Sequence, residues 1–570
     1  MKKRLVSLFL LLCMMLSVFA MASCGRDKNK GGETAEATTA ATTDKWEVLA
    51  PRVKALPVDD RMLKIECSKL VTAEKGSNNQ LYLEGDDGDD KVTAIEQMVR
   101  TRNEKAQSLL GVSVEFTYWD YGYGKQWKQI DLVVKGGAID APDLFVNMLY
   151  DMNMEVMNGG FKDVYSIPGS FFDFSADGWL EDWMMNMSLT GDRGYILGGD
   201  FFLDIFRSMS LLPFNVTMMN AKASKLAPAI IGTGAALGEG EKLSYRFFDL
   251  VEGGNWTWAV LHQLCEAAWV DATKDGNGNM GQTDIYDTLG IIADRYGGIN
   301  ASSFLYSSGV RLTETYKITD ASSQYNGKNW IKYPDDSSEL NAIFDAVKAV
   351  FEGNGALSTS YTFKGATPDQ PGSTYHHIKF AQGELLFAGA CLLGALEDDV
   401  FQKDMKDSYS VVPFPKVDAS KEYNTIIINQ GDVGGINVRT APNKVRALTA
   451  FLQYCTENSL AIREQFLQTV TKYDTMDYDQ GTDRMLDLVY DTIRYDRDKA
   501  IDDIVGVMDE EELRNSRWHS LLKDDEFCGG SSYISAEFKS VRQSKQDKLD
   551  KILTTWYTLP TSGTVAGSGS

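Results

Sequence analysis

Between Ile95 and Met148 the apolar residues switch repeatedly from helical to strand spacing, and that alternation restricts the chain to α/β architectures. Ile95, Met98, Val99, Ala106, Leu109 and Leu110 follow a helical period, Gly111 suits a helix stop, and Val112, Val114, Phe116 and Tyr118 then alternate with period two. Trp127, Ile130 and Val134 predict a second helix ending near Gly136-Gly137. Asp143 to Met148 follows as a short, mostly apolar run suited to an interior strand. Repeated units of this kind predict a largely parallel sheet. At about 150 residues per domain, a chain of 570 residues divides into two to four domains or lobes.

The same punctuation continues downstream. Val411-Val412-Pro413-Phe414-Pro415-Lys416 reads as a strand stopped by prolines, and 424–437 as a strand-rich segment broken by Gly431, Gly434 and Gly435. Thr440 followed by Pro442 opens a helix that places Val445, Leu448, Leu452 and Cys455 on one face. Helical spacing returns through Met485, Leu488 and Ile493, and again through Phe538, Val541, Leu549, Ile552 and Trp556. Residues 561–570 are a low-complexity tail, and no internal repeat of fixed period is present.

The first residues set the compartment. Lys2, Lys3 and Arg4 precede an apolar run from Leu5 to Ala22, the pattern of an export signal. Met21-Ala22-Ser23-Cys24 resembles the lipobox of bacterial lipoproteins, which implies removal of residues 1–23 and a diacylglycerol on Cys24. From Lys28 to about Lys45 the Gly, Glu, Thr and Ala content cannot bury enough surface to fold, so 24–45 is expected to be a tether. No later stretch approaches the roughly 20 apolar residues of a membrane span. The folded part is therefore expected outside the cytoplasm, attached to the membrane only through lipid. Beyond Cys13 and Cys24, the widely spaced Cys67, Cys265, Cys391, Cys455 and Cys528 contain no CxxC. They read as isolated buried thiols, with one disulfide left open. A net charge of −23 disfavours nucleic acid as a partner, because phosphate binding depends on Lys and Arg.

Motifs that carry reaction chemistry are weak. The chain has four histidines and no HExxH, P-loop or GxSxG. A GxGxxG at Gly276, Gly278 and Gly281 lacks a strand leading into it, and adjacent carboxylates such as Asp398-Asp399 are expected in so acidic a chain. Trp119-Asp120-Tyr121-Gly122-Tyr123 is more informative, since strand-end loops of open α/β sheets form ligand clefts. Aromatic faces there could lie against the C–H face of a sugar, or pack within the core. Trp256-Thr257-Trp258 opens another helix with the same two readings. Thr273 to Asp284 has the register of an EF-hand-like calcium loop, with Asp275, Asn277, the carbonyl of Asn279 and Asp284 as ligands. Thr273 replaces the usual first acid and Asp284 is shorter than the usual Glu, so calcium and a plain Asn/Gly turn both stay open.

Several segments together resemble the bacterial extracellular solute-binding lipoproteins of ABC importers, particularly the carbohydrate-binding, maltodextrin-binding-protein-like group. They are Ala141-Pro142-Asp143-Leu144-Phe145, Leu212-Pro213-Phe214-Asn215, Asn255-Trp256-Thr257-Trp258, Phe380 to Phe387, Val411 to Lys416 and Asp432 to Asn458, in this order behind a lipobox. The resemblance implies a two-lobed α/β, periplasmic-binding-protein-like fold with hinge crossings and a ligand cleft between the lobes. Lobe one would comprise 58–207 and 428–470, and lobe two 212–425 and 475–560. It further implies a monomeric, non-enzymatic receptor that needs no cofactor, captures a carbohydrate of oligosaccharide size, and passes it to an importer permease. Carried over to this chain, the lobe-one pocket residues are Asn147, Tyr150 and Asp151, with Asn429 and Asp432 near a crossing. Trp119, Tyr121, Tyr123 and Trp258 are the aromatic contacts. The family's tryptophan after the strand at Leu385–Phe387 is replaced here by Gly389-Ala390-Cys391-Leu392, which puts sugar stacking at that point in doubt. A glycan-degrading enzyme and a surface adhesin are the competing functions.

Overall fold

The computed structural model describes residues 45–69, 93–120, 126–137, 140–271, 288–294, 298–336, 338–359, 375–389, 391–397, 400–428, 431–471, 480–493, 498–501, 504 and 530–561. The export signal with Cys24, most of the tether, Tyr121, Tyr123, the calcium-like loop at 273–284, Asn429, Cys528 and 562–570 lie outside them.

Local chemistry fixes α1 (Ala94–Leu110), which follows a short helix at Lys45–Lys54. Thr93 accepts a hydrogen bond from the Glu96 amide at 3.2 Å, and the Glu96 carboxylate accepts from the Thr93 amide, so two amides without helical partners are satisfied. At the other end Gly111 takes φ 66°, where a side chain is disfavoured, and its amide closes onto the carbonyl of Gln107. The following helices of this region are α2 (Gln126–Gly136) and α3 (Leu149–Met157).

Two sheets organise the rest of the chain. Strands β1 (Met62–Lys69), β2 (Ser113–Asp120) and β3 (Leu144–Met148) pair in parallel, and β12 (Asp432–Ile436) joins antiparallel to β3, giving the order β12-β3-β1-β2. The second sheet is built on β4 (Ser210–Asn215), β5 (Leu289–Asp294), β8 (Ala356–Thr359) and β9 (Leu385–Phe387). The short β10 (Cys391–Leu392) and β11 (Tyr409–Val412) complete it. Here β5 pairs in parallel with β8 and β9, whereas β4 runs antiparallel to β9, β10 and β11. A separate hairpin, β6 (Glu314–Lys317) with β7 (Asn329–Lys332), lies between them in sequence.

The sheets are thus mixed rather than largely parallel. Strand direction depends on how the chain returns to a sheet, which apolar spacing does not encode. β4 and β12 are the strands that follow passages from one sheet to the other. Around those passages the chain pairs with itself. Met209 and Ile427 form an antiparallel bridge, the Ser210 amide reaches the Ile426 carbonyl at 2.9 Å, and the Ile428 amide reaches that of Ser208 at 3.1 Å. A third passage lies alongside, with the Thr425 amide on the Thr492 carbonyl at 2.8 Å. Two lobes, each built on one sheet, are therefore joined by a hydrogen-bonded hinge.

The later helices divide between the lobes. In lobe two, α4 (Trp258–Ala268) packs on α5 (Ser338–Glu352) and on β5. In lobe one, α6 (Pro442–Glu457) packs on α1 and β1. Pro442 occupies its first turn as expected, but Ala441 rather than Thr440 is the capping residue, and the Thr440 hydroxyl donates instead to the Asp143 carbonyl. After α7 (Leu460–Thr471), α8 (Gln480–Asp491) lies against β11. The 29-residue α9 (Gly530–Thr558) runs along α5. No helix among the described residues is long and apolar enough to cross a membrane. Cys67, Cys265, Cys391 and Cys455 are buried and unbridged.

Candidate functional site

The carboxyl ends of β1, β2 and β3 come together at one edge of the first sheet. In the β1–β2 register Glu66 lies opposite Thr117 and Ser68 opposite Trp119, while Phe145 of β3 is opposite Glu66 and Val433 of β12 is opposite Asn147. Side chains alternate faces along a strand, so Glu66, Ser68, Thr117, Trp119, Phe145 and Asn147 share one face. The rings of Trp119 and Phe145 confirm it, 6.0 Å apart, with Phe161 a further 6.2 Å from Phe145.

This face carries buried polar groups that the fold does not satisfy. Glu66, Ser68 and Asn147 are each 0% exposed. Both carboxyl oxygens of Glu66, the Ser68 hydroxyl and the Asn147 Nδ2 make no hydrogen bond of ordinary geometry among the described residues. Asn147 spends its Oδ1 on the amide of Met148 at 2.8 Å. Leaving such a group unpaired costs about 1–3 kcal/mol. Burial pushes the Glu66 carboxyl well above the carboxylate range, and the Trp119 amide offsets this only in part. Burial thus disfavours the charged form of Glu66. At the rim Trp119 is only half-buried.

The other expected site residues have different surroundings. Asp151, in the first turn of α3, is fully buried and accepts the amide of Trp127 at 3.1 Å, so it caps α2. Tyr150 is buried beside it in sequence, and Asp432 is buried at the start of β12, opposite Met148. Trp258, expected as an aromatic contact, is 1% exposed in the core of lobe two. It sits edge-on to Phe304 at 5.2 Å and donates its indole N–H to the Ser308 hydroxyl at 2.9 Å. Burial, reinforced by the nearby Asp131 carboxylate, pushes Glu155 up to about 8. Glu66 and Ser68 were not anticipated, although Leu63, Ile65 and Cys67 alternate with Lys64, Glu66 and Ser68 in a strand pattern that could have revealed them.

Two concavities lined by described residues lie elsewhere. One, about 500 Å³, includes Ile230, Arg246, Asp249 and Asn255. The other, about 470 Å³, includes Arg311, Lys332, Asp335, Glu339 and Phe538. Neither includes a residue of the β1–β3 edge. Among the described residues no group of three or more His, Cys, Asp or Glu side chains is arranged to hold a metal.

No known family model matches the sequence, and no curated protein matches it. Solved structures do resemble it. The galacto-N-biose-/lacto-N-biose I-binding protein of the ABC transporter from Bifidobacterium longum is 10% identical, with a TM-score of 0.45 over 86% of this chain and 97% of that one. The cyclic alpha-maltosyl-1,6-maltose binding protein from Arthrobacter globiformis is 11% identical, with a TM-score of 0.45 over 86% and 99%. A sugar transporter from Rhizobium etli in an open conformation is 14% identical, with a TM-score of 0.45 over 88% and 100%. Likeness of that degree assigns no ligand, and the two-lobed description stands on the strand order and the paired crossings.

Proposed function

We propose that this protein is a non-enzymatic solute receptor that captures a carbohydrate, of oligosaccharide size, and delivers it unchanged to an ABC importer. The observation that carries the reading is the row of buried, unsatisfied groups on Glu66, Ser68 and Asn147, with the half-buried Trp119 on the same face. Polar groups beside an aromatic ring match a ligand with many hydroxyls and an apolar ring face. Tyr121 and Tyr123, which follow Trp119 in sequence, and Asn429 complete the contact set in this proposal.

The hinge supports the second half of the reading. A solute that contacts both lobes only when they approach each other shifts the population toward the closed form. Anchorage through lipid at Cys24 would hold such a receptor outside the cell membrane as a monomer beside its permease. A calcium ion on Asp275, Asn277, the Asn279 carbonyl and Asp284 would brace a loop of lobe two and take no part in capture.

A thermal-shift screen against a panel of oligosaccharides, with product analysis on the same samples, tests the proposal. Stabilisation without turnover is the expected result. Appearance of shortened glycans would make the protein an enzyme. Binding without compaction in solution scattering would favour an adhesin.

A further inference from the structure

The hinge is not the sole connection between the lobes. Helix α9 packs against α5 of lobe two and, near its end, against lobe one. At 1.5 Å per residue its 29 residues span about 43 Å. On the lobe-two side Gln546 bonds the Ile331 carbonyl at 3.1 Å and the Tyr333 amide at 2.9 Å, and Asp550 accepts the Trp330 indole N–H at 2.9 Å. Tyr557 lies nearly parallel to Trp330, at 10° and 6.0 Å, and donates its hydroxyl to the Asn329 carbonyl at 2.7 Å. The β6–β7 hairpin and α9 therefore form one unit.

That unit also grips the segment 190–195, which belongs to lobe one through the Leu197–Gly434 bridge to β12. The buried Trp556 donates its indole N–H to the Thr190 hydroxyl at 3.0 Å and meets the Tyr195 ring edge-on at 5.2 Å. Asn329 of the hairpin donates to the Thr190 carbonyl at 2.8 Å. Arg193 reaches the Trp556 and Leu559 carbonyls at 3.4 and 3.5 Å and lies 5.3 Å over the Tyr557 ring.

We infer that α9 and the β6–β7 hairpin are a strap that restricts the angle between the lobes. Bodies joined at one hinge can swing about it, whereas a second rigid tie limits rotation to the line through both attachments unless that tie lets go. Hydrogen bonds weaken over a few tenths of an ångström, so any other swing breaks the contacts of Thr190, Arg193 and Trp556. The inference rests on the receptor reading only for its purpose, since the strap exists whether or not a sugar binds.

The test uses the full chain with no solute added. Trp556→Phe combined with Arg193→Met keeps the apolar packing and removes three of the cross-lobe hydrogen bonds. The expected results are a shift of the scattering radius of gyration to higher values and about tenfold or faster amide exchange in both 190–197 and 329–333. Faster exchange confined to 556–560 with unchanged scattering overturns the strap. Should the double variant not fold, Arg193→Met alone, which removes the two bonds to the Trp556 and Leu559 carbonyls, is read in the same way, and unchanged exchange in 190–197 overturns the proposal. Because no glycan is present, failure here is separable from failure of the thermal-shift screen.

Discussion

Arg463 holds both carboxylate oxygens of Asp200 through one guanidinium nitrogen, at 2.8 and 3.0 Å. Asp200 is 1% exposed and also accepts the Tyr490 hydroxyl at 3.2 Å, and the guanidinium lies 3.8 Å over the Tyr490 ring. These three residues link the chain just before the first passage with α7 and α8, so the ion pair sits where the halves of the molecule are knitted together. Arg463→Met should lower the unfolding free energy by about 3–5 kcal/mol, because it strands a buried charge. Urea denaturation measures this, and a loss below about 1 kcal/mol would reduce the pair to the worth of a surface contact.

Trp119→Ala should weaken glycan binding by roughly tenfold, the value of one ring–sugar contact of about 1.4 kcal/mol. The half-buried ring also touches Phe145, so a stability loss of about 1 kcal/mol is expected. Titration calorimetry and thermal melts separate the two effects. Loss of fold with no separable binding defect would make Trp119 a core residue.

Glu155 gives the chain a pH dependence of predictable sign. Its carboxyl is pushed up to about 8 from an ordinary 4.5, so the folded state holds a proton that the unfolded state has released. Between those values its contribution to stability falls as pH rises, by at most about 1.4 kcal/mol per unit. Glu155→Gln should therefore melt above the parent at pH 8, with the gap narrowing toward pH 5. A gap that widens on acidification would reverse the assignment.

The same side chain explains Gly160. A Cβ there would stand 1.9 Å from the Glu155 Oε1 and 2.6 Å from its Cδ. Gly160→Ala should cost about 1–3 kcal/mol through overpacking, and adding Glu155→Ala should restore much of the loss. Equal destabilisation by the alanine with and without Glu155 would place the conflict elsewhere.

Much of lobe one was legible because its signals are local. The spacing of Ile95 to Leu110 and the stop at Gly111 correspond to α1 and its left-handed cap, and Val114 to Tyr118 and Leu144 to Met148 fall in β2 and β3. The β6–β7 hairpin was not legible, since Glu314 to Lys317 are all exposed and show no apolar alternation. Glu66 belongs to the candidate site only because β1 pairs with segments about 50 and 80 positions further along, a fact of register that spacing within β1 does not contain. Trp258 was ambiguous for the converse reason: the sequence shows a ring at a helix start, and only the packing with Phe304 and Ser308 shows it covered.

The antiparallel place of β12 beside β3 bears on how this polypeptide is made. Leu144 to Met148 are wholly buried in the finished fold, and among the described residues Asp432–Ile436 pairs with one side of that strand. During vectorial synthesis hundreds of residues emerge while that flank stays bare, an adhesive edge for other nascent chains. Any fragment ending ahead of Asp432 is accordingly expected to aggregate rather than yield a soluble half-molecule.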